Sequence, residues 1–153
     1  MRKLRAFLAL LVTLVMVGCE LPADPAAVRG EIQVLVKQFA DAAQKDVNAM
    51  LAMYEQGPGT SSVGNGQIER GIEGIRKHAD MNLVGTQGKF KVDLGSIEVT
   101  SIGAGYALSV TPFVMTENPT VAFSRQMKGV GTLVWKKTSE GWKVIHEHES
   151  YQP

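Results

Sequence analysis

The sequence predicts an α+β domain in which helices come first and a run of antiparallel strands follows. Three observations carry this expectation: apolar residues recur three and four apart in the first half, they alternate after Gly88, and the chain closes on a hairpin. With 153 residues there is room for one domain of ordinary size.

In chain order, Val28, Ile32, Leu35, Val36, Phe39 and Ala43 form one apolar stripe, while Arg29, Glu31, Lys37, Asp41 and Lys45 lie mostly elsewhere, which predicts an amphipathic helix. Asp46 suits the N-cap of a second, shorter helix whose inner face is Met50, Leu51 and Tyr54. Gly57-Pro58-Gly59 ends it. Residues 60–63 are a short extended piece, turned by Gly64-Asn65-Gly66, and Ile72, Ile75 and Ala79 give a third helix. Phe90 to Ser101 then reads as a long strand kinked near Gly95, and Gly103-Ala104-Gly105 reverses it. The next strand, 106–115, contains Pro112, which predicts an edge or a bulge there. Residues 121–137 supply further strand, interrupted around Lys128-Gly129.

The last stretch, 129–150, is the sharpest signal. Two apolar runs flank Thr138-Ser139-Glu140-Gly141, with Gly141 available for a positive φ. A period of two places Trp142, Val144, His146, His148 and Ser150 on one face and Lys143, Ile145, Glu147, Glu149 and Tyr151 on the other. The second set holds the formal charge, so the first is expected to face inward and to turn a core into a polar pocket.

The formal charge of +1 falls to about −2 if the segment with Arg2, Lys3 and Arg5 is removed, and acids and lysines are interspersed. Neither state suits a nucleic-acid partner. Cys19 is the only cysteine, so no intramolecular disulfide forms. A basic start, the apolar run 6–17 and Gly18-Cys19 read as a secretory signal, since that run is shorter than the ~20 residues a membrane span needs. Met16-Val17-Gly18-Cys19 resembles a bacterial lipobox, with methionine in place of the usual leucine. The resemblance implies cleavage before Cys19, lipidation of Cys19 and anchoring to a bilayer; with Glu20 next, it implies the outer membrane, facing the periplasm. The expected organisation is a signal peptide over 1–18, a lipidated cysteine and Pro-containing tether over 19–27, and a domain over 28–153.

His146 and His148 are the candidate acid/base pair, because imidazoles exchange protons near neutral pH. Histidines so spaced can also chelate a metal, but no third ligand is placed to complete a zinc site, so neither metal nor cofactor is expected. Ser150 lacks the partners of a nucleophile, and His78 reads as a surface residue. Tyr54 and Trp135 join His146 and His148 as candidate ligand contacts, since pockets combine apolar walls with a few polar groups. The glycines of 57–74 match no phosphate-binding pattern.

Trp135-Lys136-Lys137, Gly141-Trp142-Lys143-Val144-Ile145-His146-Glu147-His148 and Ser150 resemble the closing hairpin of the SnoaL-like group in the nuclear-transport-factor-2-like superfamily. Gly57-Pro58-Gly59-Thr60-Ser61-Ser62-Val63-Gly64 and Gly71-Ile72-Glu73-Gly74-Ile75-Arg76 resemble its middle section, so the resemblance covers 26–150. It implies a curved antiparallel sheet wrapped around the N-terminal helices as a cone with a pocket at its open end. It says little about function, because the superfamily holds enzymes and assembly domains alike. Some of its enzymes place an aspartate in the cone, yet no motif puts Asp80 or Asp93 there. The favoured expectation is non-catalytic binding of a small apolar or amphipathic molecule, or of a partner peptide. The alternatives are an acid/base isomerase, cyclase or dehydratase, and a dimerisation module using the outer sheet face around Ile145.

Overall fold

A computed structural model describes residues 24–83, 88–118 and 124–152; the expected signal peptide over 1–18 and Cys19 lie outside them. Helix α1 (Pro25–Lys45) starts where Asp24 accepts from the Ala26 amide, with Pro25 in the first turn, and buries Val28, Ile32, Val36 and Phe39. Asp46 ends α1 and caps α2 (Val47–Ala52), accepting from the Ala49 amide at 3.1 Å. After β1 (Ser61–Gly64) and β2 (Gln67–Arg70) comes α3 (Gly71–Asn82). The remaining strands are β3 (Phe90–Leu94), β4 (Glu98–Gly103), β5 (Tyr106–Glu117), β6 (Arg125–Thr138) and β7 (Gly141–Tyr151). Asn65 and Gly66, at φ 50° and 76°, make the two-residue turn between β1 and β2, as the right-handed twist of a hairpin favours.

The described strands form one sheet in the order β2-β1-β7-β6-β5-β3, with β4 also on β5. Helices lie against one face, so the α+β expectation holds. The pairing is antiparallel except between β1 and β7, which run parallel because α3 and the later strands separate them in the chain. The kink near Gly95 is a complete break: β3 and β4 pair with successive parts of β5. Pro112 therefore sits in a central strand rather than at an edge. Its carbonyl accepts from the Gly95 amide at 2.8 Å, so its missing N–H faces the break on that same side, where no ladder bond is lost. Strand β6 runs unbroken through Lys128-Gly129.

Three ties hold α1 to the sheet. Gln44 accepts from the Val92 amide at 2.9 Å and covers edge strand β3, and Gln33 donates to the Ile97 carbonyl at 3.1 Å. At the other end Glu31 accepts from the Trp142 indole at 2.6 Å and from Lys137 at 3.0 Å, which together hold its carboxyl below the ordinary carboxylate value.

Across the inner face, Phe113, Gly129 and Tyr151 form one row through β5, β6 and β7. The Phe113 ring lies over Gly129 and meets Tyr151 edge to face at 5.7 Å. A Cβ on Gly129 would stand 2.6 Å from the Phe113 ring and 2.7 Å from the Ser150 carbonyl oxygen. Gly129→Ala is expected to lower unfolding free energy by about 1–3 kcal/mol, because ring and strand must both shift. Urea unfolding checks it, and an unchanged midpoint would contradict the packing of this row.

Candidate functional site

The site depends on a change of register in β7. Trp135 pairs with Val144, but Val134 pairs with His146, so Ile145 is an extra residue and forms a β-bulge. Beyond it the alternation is inverted. Val144 faces inward and is fully buried, and then Glu147, Glu149 and Tyr151 take the inner face while His146 and His148 take the outer one.

The bulge coincides with the arrival of α2. The Val144 amide donates to the Met53 carbonyl and its carbonyl accepts from the Glu55 amide, both at 2.9 Å, so Tyr54 bridges β7 immediately before Ile145. Past the bulge, Ser61, Ser62 and Val63 of β1 pair with His146, Glu147 and His148.

Between the helices and the inner face is a cavity of about 760 Å³, within the range of small-molecule sites. Phe39, Met50, Phe90, Leu94, Phe113 and Leu133 contribute to its apolar wall. Tyr54, only 1% exposed, donates its hydroxyl to Glu147 Oε2, and Ser62 donates to the same oxygen at 2.9 Å. Among the described residues both of these donors reach Oε2 and none is shown reaching Oε1. Tyr151 donates to Glu149 Oε2 at 2.7 Å.

Burial first, and then the charge of Glu149, push Glu147 from 4.5 up to about 7, against the lowering effect of its two hydroxyl donors. Burial and the same carboxylates push the Tyr54 and Tyr151 phenols upward, so both remain protonated donors. The geometry thus provides a carboxyl that changes charge near neutrality inside a largely apolar cavity.

Of the sequence candidates, only Tyr54 stands in the cavity wall. His146 faces outward, its Nδ1 2.8 Å from Ser61 Oγ, and His148 and Ser150 are exposed on the same side. The inward placement expected for them is overturned by the single bulge residue. Trp135 is fully buried beneath the site, donating to Ser109 Oγ at 2.9 Å, and does not line the cavity. His78, expected on the surface, has its side chain 40% exposed there and also borders the cavity, 3.4 Å from Glu69. Asp80 and Asp93 are exposed, Asp93 paired with Lys91 at 2.6 Å. Glu147 and Glu149 were missed because strict alternation assigned them to solvent. The available signal was Ile145, an aliphatic residue in an otherwise charged series, which marks where strict alternation fails. Among the described residues no group of three or more His, Cys, Asp or Glu side chains is placed to hold a metal ion.

Residues 32–153 match the family described as SnoaL-like domain. No curated protein matches the chain. Among solved structures it is similar to a candidate dehydratase of the nuclear-transport-factor-2-like family from Streptomyces avermitilis, with 17% identity and a TM-score of 0.74 over 85% of this chain and 99% of that one. It is also similar to a nuclear-transport-factor-2-like protein from Salmonella enterica serovar Typhimurium, with 21% identity and a TM-score of 0.70 over 84% and 93%. The association domain of calcium/calmodulin-dependent kinase II from Caenorhabditis elegans shares 18% identity and a TM-score of 0.68 over 82% and 97%. At these identities the likeness concerns the fold.

The raised Glu147 value sets a direction for stability against pH. Below about 4.5 the carboxyl is neutral in folded and unfolded chains; between there and about 7 only the folded chain keeps the proton; above about 7 the ionised group is buried at a cost. Its contribution is therefore full at low pH and lost as pH rises through about 7. Glu147→Gln should be more stable than the parent at about pH 8.5 by something on the order of 2–3 kcal/mol, and level with it at about pH 4. Denaturant unfolding at both values checks this. A variant less stable than the parent at the higher pH would contradict the buried, proton-hungry carboxyl.

Proposed function

Because the chain belongs to the SnoaL-like family, we propose that its cone is a binding chamber for a small, largely apolar molecule, carried on an envelope protein tethered by lipid at Cys19. The observation that carries the reading is the cavity of about 760 Å³ with the Glu147 carboxyl in its wall. An apolar wall supplies affinity without direction. Glu147, held by Tyr54 and Ser62, supplies the direction, because a buried acceptor favours a ligand that brings a donor.

Proton transfer to or from the bound molecule is a second reading, favoured by the Glu147 carboxyl lying near 7, where it can both give and take a proton. His146 and His148, once the candidates for this step, have no path to the chamber from the outer face. The Streptomyces avermitilis neighbour supports it only by its description. The lipid anchor rests on the lipobox-like residues 16–19.

Native mass spectrometry of the full chain, released from mild detergent, tests the chamber. Extra mass that departs on unfolding is expected; bare protein that also fails to take up an apolar reporter dye would overturn the reading. For the anchor, the intact mass of the chain isolated from an expressing bacterium should match cleavage before Cys19 with acyl groups added, and Cys19→Ala should lack them. A parent chain that carries no acyl mass would refute lipidation at Cys19.

A further inference from the structure

The cavity wall is unbalanced in charge and in hydrogen-bonding sense. It contains the carboxylates Glu69, Glu117, Glu147 and Glu149 against Lys89 and His78. His78 stands beside Glu69. Among the described residues neither Glu147 nor Glu149 belongs to an ion pair. Two carboxylates at successive inward positions of one strand lie roughly 7 Å apart along it, and the charge of Glu149 discourages the ionisation of Glu147. A buried carboxylate without a countercharge is costly, and a cation brought by a ligand would offset that cost.

Three hydroxyls around the pair are already committed to it. Tyr54 and Ser62 both donate to Oε2 of Glu147, and Tyr151 donates to Oε2 of Glu149. Among the described residues no donor is shown reaching Oε1 of either carboxyl, so each keeps an oxygen for a donor brought by a ligand. An ammonium carries three donors and no acceptor, which is the complement of what the corner presents. Phe113 and Tyr151 stand edge to face in the same wall, and Phe39 meets Tyr54 at 5.5 Å, so the cavity that holds the two carboxyls is also lined by aromatic rings.

We propose that the molecule bound in the cone is a cationic amine on a compact apolar body, its ammonium seated against Glu147 and Glu149 and its body against the aromatic and aliphatic wall. The proposal rests on the chamber reading above and names the class of ligand. Charge-assisted bonds to two carboxylates give the amine its advantage over a neutral molecule of the same shape.

The test is calorimetric titration of the full chain in lipid nanodiscs with 1-adamantanamine, 1-adamantanol and 1-adamantanecarboxylate, corrected for uptake by empty nanodiscs. The amine is expected to bind about tenfold or more tightly than the alcohol, and the carboxylate most weakly. In the double variant Glu147→Gln, Glu149→Gln, with a cooperative thermal transition marking it as folded, that preference should disappear. Equal binding of amine and alcohol, or a preference for the carboxylate, would overturn the amine while leaving the chamber. Failure of all three probes would overturn the chamber and the amine with it. A preference undiminished in the double variant would refute the seat at Glu147 and Glu149.

Discussion

The bridge between Tyr54 and Val144 is the contact on which the rest of the structure depends. It brings the end of α2 onto β7 one residue before Ile145, and the strand responds by admitting an extra residue. A bulge bends a strand and inverts its alternation at once. The same bonds therefore dock the helical layer and turn Glu147, Glu149 and Tyr151 into the cone. Without the inversion the inner face would carry imidazoles and a serine, and both carboxylates would lie in solvent.

Packing around this point is divided in two. On the Trp142 side the sheet is closed: Ala107, Trp135 and Val144 form a buried row, and the Trp135 indole is satisfied by Ser109. Toward the other end the rows become Ser109, Leu133 and Glu147, then Thr111, Gly131 and Glu149, then Phe113, Gly129 and Tyr151. Small residues in β6 leave space that side chains of the neighbouring strands fill only in part. The cavity is the consequence, and Glu147 and Glu149 reach it because β7 changes phase at Ile145.

Electrostatics follows from the same placement. Glu147 would titrate as an ordinary carboxyl on the outer face; within the cone, burial and Glu149 lift it to about 7. Tyr54 and Ser62 limit that lift, and because burial keeps the phenol protonated, Tyr54 remains a donor over the whole neutral range. A group so held can orient a ligand by its charge or exchange a proton with it, and both readings draw on one carboxyl.

Local chemistry was legible in the sequence wherever a local rule decides structure. The stripe from Val28 to Ala43, the cap at Asp46, the Asn65-Gly66 turn and the closing hairpin each follow from the residues alone, and so does the α+β order. The closing hairpin and the Gly57–Arg76 stretch also carried the family resemblance. What the tertiary structure decided is phase and partnership. Alternation assigns every second residue to one face only while a strand stays regular, and the residue that breaks β7 stands beside the bridge to Tyr54, about 90 positions earlier in the chain. The parallel joining of β1 to β7 and the place of Pro112 opposite the β3–β4 break are likewise settled by distant pairing. Tyr54 was recognisable because it continues the inward spacing of Met50 and Leu51 just past the end of α2. Glu147 and Glu149 were not, because only the bulge at Ile145 converts two residues of a charged series into the acidic corner of a cavity.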